Sequence, residues 1–187
     1  MGNLNTIFQS FEIGIRSSKA VKPRNYLNSI GLDYNEIRIG FNSGQFHHRK
    51  PKEKREIYIQ LGLLSKSKVR LNKSISESFT VFGNYGIIFP LVNKNKQIVN
   101  LFALRFDLSK PSSSFLNNLG IYPSFPSILT KKLYITNSIV DCASLMQSKT
   151  LENRDSVMSL HDGQILPQHI EAINMLPHLE EIILINN

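Results

Sequence analysis

Disulfide chemistry is closed to this chain. Its 187 residues include one cysteine, Cys142, so no internal bridge can form and no multi-cysteine zinc module can be built within it. No apolar run approaches the roughly 20 residues of a membrane-spanning helix, and the N-terminus lacks the basic-then-apolar layout of a signal peptide. These absences lead to the expectation of a cytoplasmic protein with no membrane partner. No internal repeat and no low-complexity tail is visible. Acidic residues are scarce in the first part: residues 1–110 carry 18 Lys/Arg against 7 Asp/Glu, whereas residues 111–187 carry 4 against 7. The net charge of +8 is therefore a basic front on a mildly acidic back. Such a front suits a polyanion such as DNA or RNA, although a solubilising face would have the same composition.

What is present reads in order. Ile7 to Ile15 is a mixed apolar stretch, followed by a polar, basic link to Pro23. From Pro23 a helix is expected, with Tyr26, Leu27 and Ile30 on one face and Gly31 as a left-handed cap. Ile37 to Phe41 alternates like a strand. The densest basic run follows, Phe46-His-His-Arg-Lys-Pro-Lys-Glu-Lys-Arg55, and reads as a loop that contacts phosphate or is simply solvated. His47 and His48, read as neighbours on a strand, point to opposite faces and have no third ligand nearby, so they do not suggest a metal site. Ile57 to Leu64 reads as a short helix ending near Gly62, and Lys66, Lys68, Arg70 and Lys73 as a polar linker. Tyr85 to Val92 and Ile98 to Phe106 flank a polar turn and predict a hairpin. Arg105 stands on the face opposite Phe102, Leu104 and Phe106. Residues 107–130, rich in Ser, Pro and Asn, read as an ordered connector.

The last part alternates strand and helix. Strands are expected at Leu133–Thr136, Ser156–Leu160 and Glu181–Ile185, with helices from Ile139 and over Pro167–Leu176. This order predicts a parallel sheet, whose ligands sit beyond the carboxyl ends of the strands. Asn137, His161 to Gly163, Asn186 and Asn187 fall at that edge. Cys142 has no base partner in sequence and reads as a small buried apolar group. The expected class is α/β: a basic α+β N-terminal lobe at 1–110, a connector at 111–130 and a truncated Rossmann-like parallel sheet at 131–187.

Several strings in order carry a family resemblance: Tyr26-Leu-Asn-Ser-Ile-Gly-Leu32 with Ile39-Gly-Phe41, Asn42-Ser-Gly-Gln-Phe-His-His48, Ile87-Ile-Phe-Pro-Leu91 through the turn to Leu104-Arg105, and Leu133-Tyr-Ile-Thr-Asn137-Ser-Ile-Val-Asp141. From about Ala20 onward the chain resembles the catalytic core of bacterial DNA primases, specifically the toprim-containing, primase-like proteins of mobile elements in Bacteroidetes. The resemblance implies a toprim-like parallel sheet and a role with nucleic acid in replication. It also implies magnesium-dependent phosphoryl transfer, built on a Glu after the first toprim strand and an Asp-x-Asp after a later one.

Those carboxylates are not here. Asn137 stands where the Glu is expected and Asn186 where the first Asp is expected; Asp141 of the first motif is kept. An amide offers a carbonyl oxygen but no negative charge, and it cannot act as a general base at neutral pH. A degenerate, inactive site is therefore expected, with no cofactor. The alternatives are an active metal-dependent nucleotidyltransferase or nuclease binding Mg through Asp141 and Asp162, or a protein-interaction module on the same fold. Nucleic-acid contacts are expected from Arg49, Lys50, Lys52, Lys54, Arg55, Lys66, Lys68, Arg70 and Arg105. The open edge of a truncated sheet also suggests a protein partner or self-association.

Overall fold

The computed structural model describes residues 3–71, 74–106 and 112–186, and the side chains among these outside 68–77. The chain begins with helix α1, Leu4–Ile15, where the sequence shows only a mixed apolar stretch. Asn3 caps it, its Oδ1 accepting the Thr6 N–H at 3.0 Å. Leu4, Ile7, Phe8, Phe11 and Ile15 recur at helical spacing and are all buried. A 3-10 turn at Ser18–Ala20 leads into helix α2, Val21–Ser29. This helix starts two residues before Pro23, and Gly31 (φ 75°) follows it in the left-handed region as expected. Strand β1 is only Gly40–Asn42, shorter than the alternation from Ile37 predicts.

Two expectations about the basic region are corrected. The run read as a loop folds in part into helix α3, Lys52–Gln60, so Lys52, Lys54 and Arg55 lie on helical turns. Pro51 supplies a fixed φ of −55° at the N-cap and Glu53 favours the first turn through the helix dipole. The segment read as a polar linker forms a ribbon of strands β2, Leu64–Leu71, and β3, Ser74–Val81. Its root is held by buried Leu63 and Leu64 and by the Phe82 N–H donated to the Leu63 carbonyl at 3.0 Å. Further out, the Ser67 and Ser78 hydroxyls meet across the strands. Ser65, Lys66, Ser67 and Ser78 leave these strands without a continuous apolar run, which is why hydropathy did not reveal the ribbon.

Strands β4, Gly86–Val92, and β5, Ile98–Arg105, form the predicted hairpin, with Phe89 opposite Phe102. They are the middle of a four-stranded antiparallel sheet in the order β1-β4-β5-β6. Strand β6, Ser112–Phe115, lies within the segment read as a connector. Both faces of this sheet are covered. Ile88, Leu101 and Ala103 pack with α1, while Ile87, Phe89, Phe102 and Leu104 pack with residues of α2 and of the later helix α4.

The second sheet is parallel as predicted. It comprises β7, Lys132–Thr136, β8, Asp155–Ser159, and β9, Glu181–Ile185, in the order β8-β7-β9. Helix α4, Ile139–Gln147, buries Ile139, Cys142 and Ala143 in the core shared with the antiparallel sheet. Helix α5, Pro167–Asn174, closes the opposite face with Ala172 among Leu133, Ile135, Met158 and Leu160. The connector ties the sheets together: Ile121 bridges to Val92, and Tyr122 accepts the Ser159 N–H at 2.9 Å. Among the described residues, no helix is long and apolar enough to cross a membrane.

Helix α1 lies on β1 at backbone contact. A Cβ on Gly40 would stand 2.6 Å from Phe11 Cβ, and one on Gly14 would stand 2.6 Å from the Phe41 carbonyl oxygen. Gly40→Ala should therefore force the helix off the sheet and cost about 1–3 kcal/mol of stability. Chemical denaturation compared with the unchanged chain measures this loss.

Candidate catalytic edge and nucleic-acid interface

The carboxyl ends of β7 and β9 bring Asn137 and Asn186 together. Asn137 Nδ2 donates to Asn186 Oδ1 at 3.0 Å, and the Asn137 carbonyl accepts the Gly163 N–H, also at 3.0 Å. Two carboxylates at this spacing would repel each other and call for a cation. An amide pair instead satisfies itself, donor to acceptor, with no charge to balance.

Asp141 stands in the first turn of α4 and its carboxylate is engaged locally. The Ser138 hydroxyl donates to Asp141 Oδ2 at 2.6 Å and accepts the Asp141 N–H at 3.1 Å. This reciprocal cap has the Ser138-x-x-Asp141 spacing of a capping box, a local signal visible in the sequence. Asp162 is exposed, at φ 47°, in the turn between His161 and Gly163. Among the described residues, no group of three or more His, Cys, Asp or Glu side chains is placed to hold a metal ion. Cys142 is fully buried beside the Tyr122 carbonyl, and burial pushes its thiol well above the usual range. An unreactive thiol is the result.

Two buried histidines, one of them unforeseen, support the same edge. His161 stacks on Phe115 at 4.3 Å between ring centres, and its Nε2 lies 3.2 Å from the Gly120 carbonyl. His169 has no exposure and its ring lies 5.3 Å from that of His161. Its Nδ1 accepts the Leu166 N–H at 2.9 Å, so the proton of the neutral ring must sit on Nε2. A second proton would point at a donor. Burial first, and then His161, lower the His169 pKa to about 4.

The basic residues form two groups. Arg49 and Lys50 lie at the end of the turn before α3, and Lys52 and Lys54 on its exposed first turns. Arg55 lies over the Phe79 ring at 5.8 Å, which joins α3 to the β2–β3 ribbon. Lys66 contributes to that joint through Glu56 at 2.9 Å. The side chains of Lys68 and Arg70 lie outside the described residues, as does Asn187. Arg105, half-buried at the end of β5 in register with Ser112, belongs to the sheet and not to α3. His47 and His48 sit in a turn, not on a strand, with their rings in contact at 4.5 Å. Burial, His48 and Arg55 all lower the His47 pKa.

No protein-family model and no curated protein sequence matches the chain. Solved structures do. A DNA primase domain from Pseudomonas aeruginosa superposes with a TM-score of 0.75 at 13% identity, over 97% of this chain and 59% of that one. The E. coli primase catalytic core gives 0.70 at 14%, over 96% and 59%. A DnaG primase catalytic domain bound to ssDNA gives 0.70 at 14%, over 97% and 58%. At these identities the likeness is one of fold: the chain has a primase-like fold and spans under two thirds of the length of the structures it matches.

The histidine pair makes a pH prediction. The unfolded chain holds the His169 proton below about pH 6.5, whereas the folded chain takes it up only near 4. Stability should therefore be fully present above about pH 6.5 and fall between there and pH 4, on the order of 1 kcal/mol per pH unit. His169→Gln, which keeps an acceptor for the Leu166 N–H, should flatten that slope in thermal denaturation across this range.

Proposed function

We propose that this protein binds nucleic acid through its basic first part and that its toprim-like edge does not perform metal-dependent phosphoryl transfer. The observation that carries the second half is the Asn137–Asn186 hydrogen bond at 3.0 Å, which joins two neutral amides at the ends of β7 and β9. Magnesium takes hard, charged oxygen ligands in octahedral geometry. Asp141 and Asp162 are two carboxylates, the first already bonded to Ser138 and the second in an exposed turn. This donor set does not fit a phosphoryl-transfer centre, so no magnesium requirement is assigned and no catalytic step is derived through one.

The first half rests on charge and on fold. Arg49, Lys50, Lys52 and Lys54 present cations on one exposed turn and helix start, with Arg55 and Lys66 bracing that helix against the ribbon. The matched primases include a catalytic domain bound to ssDNA and an RNA polymerase domain in complex with double-stranded DNA. By analogy of fold, the ligand here is a nucleic-acid strand, and the protein is a primase-related member of a replication apparatus such as that of a mobile element. Lys68, Arg70 and Arg105 are proposed as further phosphate contacts.

Binding through phosphates should weaken steeply with salt. Fluorescence anisotropy with a labelled oligonucleotide should give a steep negative slope of log K against log salt, reduced by about one unit for each phosphate contact removed by Lys50→Ala or Lys54→Ala. A flat salt response contradicts phosphate contact. In a primer-synthesis assay with magnesium, the unchanged chain should yield no product. Magnesium-dependent synthesis that disappears in Asp141→Ala would establish an active enzyme and overturn the inert reading.

A further inference from the structure

Three half-buried rings gather at the end of the β4–β5 hairpin away from its turn. Phe106, the residue after β5, is the common partner of two tyrosines. Tyr26 of α2 stacks on it at 5.3 Å between ring centres with 26° between the planes. Tyr85, the residue before β4, lies at 5.8 Å and 34°. Rings inclined this little, at these separations, are in offset stacking contact. The buried Phe41 fixes Tyr85 in turn, at 5.3 Å and 82°. The backbone of Tyr85 is the anomaly. Its φ is 54°, within the turn Gly83-Asn84-Tyr85-Gly86 that the Gly86 N–H closes on the Gly83 carbonyl at 3.0 Å. Glycine or asparagine enters this left-handed region readily, whereas a bulky ring is strained there. Such strain collects where a side chain is kept for what it binds. Charge is also suited to a polyanion, because α2 carries Lys22 and Arg24 and no acidic residue. Arg24 is held by the Ile15 and Ser17 carbonyls at 2.8 and 2.7 Å. Lys22 is exposed, one turn before Tyr26 on the same helix face.

We propose that Tyr26, Phe106 and Tyr85 form a stacking platform for the bases of a single-stranded nucleic acid, with Lys22 meeting an adjacent phosphate. This rests on the nucleic-acid reading above and adds to it a choice of strand state. Cations such as those of α3 hold a backbone by charge, and a duplex satisfies them as well as a single strand does. Flat rings discriminate, because in a duplex the base faces are already covered by neighbouring pairs and in a single strand they are open to aromatic side chains. Every base has a π-face, so the platform selects single strands without selecting a sequence.

Fluorescence anisotropy of the full chain with two labelled single strands of equal length, one with its bases and one abasic, tests this. The abasic strand keeps every phosphate and loses every base. The base-bearing strand is expected to bind at least about fivefold more tightly, the contribution of one stacked base. Tyr85→Asn removes the ring and installs a residue that accepts the left-handed φ, so thermal denaturation should show an unweakened fold. It should lower affinity for the base-bearing strand by about fivefold or more and leave the abasic strand unaffected. Tyr85→Phe should keep the affinity. Tyr26→Leu, with a helix-forming residue at the other tyrosine, is the second variant and carries the same expected loss. Equal affinity for the two strands overturns the platform, and so do Tyr85→Asn and Tyr26→Leu variants that bind as the unchanged chain does. A steep salt dependence in that same experiment would then leave phosphate contact standing. Discrimination between the strands under a flat salt response would instead keep the platform and overturn phosphate contact.

Discussion

Everything in this molecule depends on the β4–β5 hairpin being buried on both faces. Antiparallel sheets can leave one face to solvent, and a strand that does so alternates polar with apolar residues. Here Gly86–Val92 is buried at every position. One face takes the weight of α1, brought to backbone contact by Gly14 and Gly40. The other face, with Phe89 and Phe102, continues through Tyr122 into α4 and β8. The two sheets therefore share one core. A cavity-forming change at Phe89 would be felt at both.

That shared core also positions the candidate edge. Tyr122 receives the Ser159 N–H, and His161, two residues on, stacks on Phe115 at the end of β6. The carboxyl ends of the parallel strands are thus pressed against the rim of the antiparallel sheet. A fold of this kind can hold charged groups close together at a strand edge, and in doing so must neutralise them. Here the ends of β7 and β9 carry amides. Asn137 and Asn186 bond to each other, and Asp141 bonds into the cap of its own helix.

The parallel half was legible because its signals are local. Apolar strands of five residues, the Ser138 cap before Ile139, and Pro167 at the start of a helix each stand in a short window. The basic half was less legible. Helix α3 has no fully buried residue, so its amphipathic stripe is faint and Lys52–Arg55 resembles a loop. The β2–β3 ribbon interleaves serines and charged residues with isolated apolar ones, so no continuous apolar run marks it as strand. Helix α1 was passed over for the opposite reason, because its apolar residues are dense enough to obscure their spacing. His169 carried no signal, since its role depends on an N–H three residues back and a ring from another element.

The residues alone determined the charge asymmetry, the α/β class and the parallel sense of the last three strands. Composition and short-range periodicity are enough for these, because each follows from residue type and from neighbours within a few positions. Only the tertiary structure decided that the two amides bond across β7 and β9, that Asp141 is engaged by Ser138, that Arg55 and Lys66 brace α3 against the ribbon, and that one core joins the sheets. Those facts rest on proximity between residues far apart in the chain, 49 positions for the amide pair and from Ile15 to Val157 within the shared core. Such separations are closed by the burial of apolar surface, which has no direction along the sequence.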